Sequence, residues 1–352
     1  MNIKKIQHPN FDPNGAGSSE GGIFGLPFGS DESSLILVPV PWEATTSYAR
    51  GTAGGPRAIL EASPQLDLFD LELLRLGLPR PWEYGIYLEP EEPWLVELNR
   101  RACELSAPLI ERGGASPDDP DLVQVNQWSK QVQDFTYRRT RQWRQQGKLV
   151  GLVGGEHSIP LGAIAALGEE FPDLGVLQID AHADLRPAYE GFQQSHASIM
   201  HNVLEHVPIS HLVQVGVRDL CELEYERATH DPRITTHYDP VLQERQLRGE
   251  SWHELCKEII GALPQHVYCS FDIDGLDPGL CPATGTPVPG GLSFAQANLL
   301  LKTLVQSGRK IVGFDLNEVA PDADGGQWNG NVGARVLYRL CGFTLRCWSP
   351  AD

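Results

Sequence analysis

Residues 174–184 read Leu-Gly-Val-Leu-Gln-Ile-Asp-Ala-His-Ala-Asp, and the fold turns on this stretch. Residues 174–179 form a short, mostly apolar run, the pattern of a strand buried on both faces. Asp180, His182 and Asp184 follow at alternate positions. In extended backbone alternate side chains point the same way, so all three can face one point. Unpaired carboxylates are expensive to desolvate, so two Asp and a His merely closing a buried strand is the costlier reading. A metal site explains them better.

Working outward, the same grammar repeats. Apolar runs at 34–40, 149–153, 211–217, 267–273 and 311–316 read as strands. Helical stretches lie between several of them, at 159–170, 198–205, 253–262 and 294–306, and another starts at Pro56. Short apolar strands alternating with helices indicate an α/β fold with a parallel sheet covered on both faces. Residues 1–32, rich in Gly, Ser, Asn and Pro, read as an irregular arm. Residues 33–352 read as a single domain, in which 63–147 is a less typical segment of helices (94–112, 123–146) and exposed loops.

Three further clusters sit where apolar runs end, the place where α/β sheets put their sites. Gly154-Gly155-Glu156-His157-Ser158 follows 149–153, and its two glycines allow a tight turn that presents His157. Asp272 and Asp274 stand two apart in Ser-Phe-Asp-Ile-Asp-Gly-Leu-Asp-Pro, residues 270–278. Asn317-Glu318-Val319-Ala320-Pro321 ends 311–316; Glu318 suits a ligand, a base or an anchor for a cation. Two His and four Asp favour a divalent ion over a thiolate site. That many carboxylates exceed what one ion needs, whereas two ions about 3.5 Å apart account for them and would acidify a water between them.

Bulk properties exclude other classes. The 352 residues are 41% hydrophobic and 21% charged, normal for a globular protein with a large core. A formal charge of −18 repels phosphate backbones, so nucleic acid is not an expected partner. Seven scattered Cys without a Cys-x-x-Cys read as reduced thiols in a cytoplasmic protein. The N-terminus lacks the apolar stretch of a signal peptide, and no run approaches the roughly 20 residues that span a bilayer.

Taken together, GGEHS (154–158), DAHADLR (180–186), SHAS (195–198), SFDIDGLDP (270–278) and NEVAP (317–321) resemble the ureohydrolase family of arginases and agmatinases. The resemblance implies a three-layer α/β/α sandwich around a mainly parallel sheet. It implies two divalent ions, nickel or manganese. His157, Asp180, Asp184 and Asp272 would hold one ion; His182, Asp180, Asp272 and Asp274 would hold the other, with Asp180 and Asp272 bridging. It further implies that Asp184 accepts a proton from the attacking nucleophile, that His196 shuttles protons and that Glu318 pairs with the guanidinium. A homo-oligomer, trimer or hexamer, is expected by the same analogy.

Departures from the family pattern bear on substrate. Glu156 stands where many members have Asp, and residues 185–194 lack the Asn- and Ser-rich stretch by which arginases hold an α-amino acid. The Trp328 region, the arm and the 63–147 segment resemble long members that include nickel-dependent guanidine hydrolases. In that reading Trp328 and residues of the 45–48 turn, Thr45 to Tyr48, narrow the pocket around a small cation, and free guanidine is preferred over agmatine or guanidinobutyrate, with biguanides further alternatives. Two readings of other classes are a non-catalytic subunit, which would be expected to have lost ligands, and a single-zinc deacetylase on a related fold, which would carry fewer carboxylates.

Overall fold

The computed structural model describes residues 3–350 apart from 7, 10, 19 and 20. Parts of the expected N-terminal arm, residues 1, 2, 7, 10, 19 and 20, therefore lie outside the described residues. Eight strands form one sheet: β1 (Leu35–Val40), β2 (Ile86–Leu88), β3 (Leu149–Gly154), β4 (Gly175–Ile179), β5 (His211–Val215), β6 (Ile234–His237), β7 (His266–Asp272) and β8 (Lys310–Asn317). Their order across the sheet is β2-β1-β3-β8-β7-β4-β5-β6, and every pairing is parallel. The strands β1, β3 and β4 are buried along their whole length. That is why they read as unbroken apolar runs rather than alternating ones.

Helices cover both faces, each over its own core. One core packs the helices Gly55–Ala62, Trp252–Gly261, Phe294–Gln306 and Trp328–Trp348 against residues such as Leu35, Leu177, Phe271 and Phe314. The other packs Pro93–Glu111, Pro120–Gln145, Leu161–Glu170 and Ile199–His206 against Ile36, Val150, Val176 and Tyr268. The 63–147 segment thus supplies the edge strand β2 and two long helices of one layer. Buried Glu89, just past β2, ties this layer together: it accepts two bonds from Arg139, 2.8 and 2.5 Å, and one from Trp143 Nε1 at 3.1 Å.

The expected strands and helices are present, with ends shifted by up to three residues. The sequence reading missed β2, β6, and the helices Glu222–His230 and Asp239–Leu247. Trp328 begins a further 21-residue helix, which that reading also missed. All seven Cys are free thiols. Among the described residues no helix is long and apolar enough to cross a membrane.

Chain order places the site. The chain passes from β3 to β4 and leaves a gap that β7 and β8 fill later. The C-terminal ends of β3, β8, β7 and β4 therefore lie side by side at a switch point, where a crevice opens between diverging loops.

Candidate metal centre and cleft

Each cluster enters from one of those four strand ends. Gly155 follows β3, and a Cβ there would lie 2.0 Å from Trp42 O. Only glycine lets the turn before His157 pass so close to the loop carrying Thr45. Past β4, Asp184 takes a left-handed conformation, φ 54°, as does Glu318 past β8, φ 66°. Both bends cost strain. At Asp184 the bend is fixed from outside, because its carbonyl accepts the N–H groups of Met200 and His201 at 3.1 and 3.0 Å at the start of the following helix.

The six expected ligands converge. His157 Nδ1 lies 2.9 Å from Asp180 Oδ2, 3.1 Å from Asp184 Oδ2 and 3.5 Å from Asp272 Oδ2. His182 Nδ1 lies 3.1 Å from Asp274 Oδ2 and 3.5 Å from Asp180 Oδ1. Two ligand groups result, His157–Asp180–Asp272 and Asp180–His182–Asp274. Asp180 offers one oxygen to each, the arrangement of a bridging carboxylate. All are buried except His182, which is partly open to the cleft.

The donors fit cations. Ser270 Oγ donates its only proton to Asp315 Oδ1 at 3.1 Å, so toward His157 Nε2, 2.8 Å away, it can only accept. Nε2 therefore carries hydrogen and the Nδ1 lone pair faces three carboxylate oxygens. Nδ1 has no hydrogen-bond partner. A lone pair facing carboxylates is repulsive without a cation between them.

Protons relieve the same repulsion when no metal is bound. Burial lowers the basicity of His157, but Asp180 and Asp184 outweigh it and hold the ring well above its ordinary value. His182 is raised likewise, with Asp274 and Asp180 opposing burial. Burial works against charge on Asp180, yet contacts with both imidazoles keep it below the usual carboxylate range. Burial and the Asp180 charge push Asp184 up to about 8. Burial, then Asp274 and Asp180, raise Asp272 well above its usual value.

Other groups orient this cluster, and the sequence reading passed over them. Gln178 Nε2, inside β4, donates to Asp180 Oδ2 at 2.8 Å. Gln214 Nε2, in β5, donates to Gln178 Oε1 at 2.6 Å and to Ala183 O at 2.7 Å, and Thr236 donates to Gln214 at 2.8 Å. A buried Gln in an otherwise apolar strand, two residues before a ligand Asp, was the available signal. Glu318 is buried; its Oε1 accepts His157 N–H at 2.8 Å, and its Oε2 has no partner. Gly285 runs so close to this carboxylate that a Cβ would lie 2.6 Å from Oε2.

A cleft of about 420 Å³ opens over His182 and Asp184, and His196 lines it. Burial, then the positive His182 and His157, push His196 down to about 4, so its ring is neutral at physiological pH. Its Nδ1 lies 3.4 Å from Thr45 Oγ1 and its Nε2 3.4 Å from Ser47 Oγ. The walls carry Arg186, Glu190, Asp219 and Glu224, with the exposed Tyr48 at the rim. Glu224 is engaged by the N–H groups of Leu185 and Cys221 and by Arg186. Glu190 keeps one buried carboxylate oxygen without a partner.

Of the residues expected to narrow the pocket, Ser47 and Tyr48 of the 45–48 turn line it, whereas Thr45 and Trp328 do not. Thr45 is buried behind His196, bonded to Glu156. Trp328 is 55% exposed and absent from the cleft lining. The reason is local: Asp322 accepts from both the backbone and the side chain of Asn329, pinning the start of the last helix and leaving Trp328 outside.

The model of the arginase family matches residues 33–342. The chain is 32% identical over 316 residues to an N(1)-aminopropylagmatine ureohydrolase of Synechocystis sp., covering 89% of each chain. It is equally similar to one of Thermus thermophilus, covering 89% of this chain and 90% of that one. An agmatinase of Bacillus subtilis is 27% identical, covering 88% and 91%. Among solved structures, an agmatine ureohydrolase of Thermoplasma volcanium superposes with a TM-score of 0.67 at 23% identity, covering 91% of this chain and 92% of that one, which shows a common fold.

Proposed function

The chain belongs to the arginase family and is a ureohydrolase, a hydrolase of amidino carbon–nitrogen bonds; within that chemistry we propose a guanidinoalkylamine substrate such as agmatine or its aminopropyl derivative. The observation that carries this is the cleft. Free guanidine would fill one corner of about 420 Å³, whereas a longer dication would occupy more of it, and Glu190 and Asp219 on the wall offer carboxylates for a second positive charge. The expectation of free guanidine drew on the long-form features, among them Trp328 as a pocket wall, and Trp328 is not on the cleft wall. The names of the curated relatives point the same way.

His157, Asp180, Asp184 and Asp272 would hold one ion, and His182, Asp180, Asp272 and Asp274 the other. When bound, the metal pair supplies Lewis acidity that acidifies water at neutral pH. Glu318 Oε2, a buried acceptor without a partner, receives guanidinium N–H groups and aims the guanidino carbon at the cluster. Asp184 accepts a proton as the nucleophile attacks. His196, neutral and facing the cleft, passes a proton to the departing amine, without which that amine is a poor leaving group. Urea is the other product.

The test is urea release from guanidine, agmatine, aminopropylagmatine, guanidinobutyrate and arginine, with manganese and with nickel. The amines are expected to exceed guanidinobutyrate, which matches agmatine in length but ends in a negative charge. Guanidine as the best substrate would refute the extended-substrate reading; no urea from any compound would refute ureohydrolase activity altogether.

A further inference from the structure

The reaction as described leaves Glu156 without a task. Its carboxylate is fully buried and receives four bonds: Thr45 N and Thr45 Oγ1, each at 2.8 Å, Thr46 Oγ1 at 3.3 Å and Ser158 Oγ at 2.6 Å. Three of these four donors belong to the loop between β1 and the helix Gly55–Ala62, more than a hundred residues away in sequence.

The hydroxyl of Thr45 also faces His196. It lies 3.2 Å from the backbone N of His196 and 3.4 Å from ring Nδ1. A hydroxyl has one proton to give and two positions that accept. The carboxylate is the nearer and stronger acceptor, so the proton goes to Glu156. Both accepting positions of Thr45 then turn to His196, one for the backbone N–H and one for Nδ1–H. Ser195 Oγ, 3.3 Å from Nδ1, already accepts Ala197 N–H and can still either give or take a proton, so it follows the tautomer instead of setting it. On the other side of the ring, Ser47 Oγ sits 3.4 Å from Nε2 and can donate to a bare nitrogen there.

We propose that Glu156, acting through the Thr45 hydroxyl, holds His196 as its Nδ1–H tautomer and so keeps an unprotonated Nε2 turned to the cleft. Glu156 and Thr45 are positioning residues in this scheme; only His196 meets the reacting atoms. The opposite tautomer would present N–H where a proton must first be accepted before it can be passed on. The inference rests on His196 as the proton-transfer group of the reading above.

The test is nitrogen-15 NMR of histidine-labelled protein loaded with zinc, a diamagnetic ion, with the His196 signals identified by their loss in His196→Asn. Wild type should show a protonated Nδ1 and a bare Nε2 at His196. Thr45→Ser, which keeps the hydroxyl, should preserve that signature and the activity. Thr45→Val, nearly isosteric, should lose the exclusive Nδ1–H form, with kcat reduced about 10–100-fold and KM changed less than about threefold. An Nε2–H form in wild type overturns the proposal. So does a folded Thr45→Val, judged by its melting curve, that keeps the wild-type tautomer and kcat. Failure of wild type to release urea would refute the ureohydrolase reading instead, because the tautomer is read without turnover.

Discussion

Removing the Ser270 hydroxyl is expected to loosen the metal without touching a ligand. Ser270 is buried in β7, accepts Nε2–H of His157 at 2.8 Å and passes its own proton to Asp315. In Ser270→Ala the Nε2–H loses its acceptor and the ring is free to tilt or to move its proton to Nδ1, the atom that must bind the cation. Loss of an outer partner of a ligating His costs about 10–100-fold in metal affinity, or about 1.4–2.7 kcal/mol. A buried donor left unpaired adds a stability loss of about 1–3 kcal/mol. The assay is competition for manganese or nickel against a fluorescent chelator, with Ser270→Thr as the variant that keeps the hydroxyl. Ser270→Ala that binds both ions with wild-type affinity, while melting earlier, would refute the argument, since the hydrogen bond would then serve only the fold.

Metal binding at neutral pH should expel protons, because the raised His157, His182 and Asp272 and an Asp184 pushed up to about 8 all hold them in the metal-free protein. Affinity should therefore rise with pH across neutrality, including the range near 8 where Asp184 titrates, and calorimetric heats should scale with the ionisation enthalpy of the buffer; heats independent of buffer would contradict this. For Asp184 alone, a folded value raised above 3.8 means that it lowers the stability of the metal-free fold as pH climbs from about 4 to about 8. Glu190→Gln should raise KM for agmatine about five- to tenfold and leave turnover of free guanidine unchanged, since only the longer cation reaches it; equal effects on both would argue against a distal ammonium there. Glu89→Ala should destabilise the protein by about 2–3 kcal/mol in urea denaturation, less than for a fully buried pair because Arg139 is 27% exposed. A shift within about 0.5 kcal/mol would show that Glu89 does not anchor the helical layer.

The candidate metal centre was legible in the sequence because its grammar is local. The spacings Asp180-x-His182-x-Asp184 and Asp272-x-Asp274 face one way in any extended chain, and an apolar run before each cluster marks the end of a buried strand. The parallel sheet followed from the same runs. Short or half-buried elements were not legible: β2 has three residues, β6 is buried only at Ile234, and the helix Glu222–His230 carries mostly polar residues that leave little periodic signal.

By itself the sequence marked which groups could ligate a metal and that they stand at strand ends. Only the tertiary structure decided that β8 and β7 fill the gap between β3 and β4, so that Asp180 is shared between two ligand groups. It alone set the proton on His157 through Ser270, joined Thr45 to Glu156 and His196, and left Trp328 outside the cleft. The physical reason is range. Strand periodicity and turn chemistry act over a few residues. Strand order, hydrogen-bond partners across the sheet and the outline of a cleft depend on contacts between segments a hundred or more residues apart, and no local pattern encodes them.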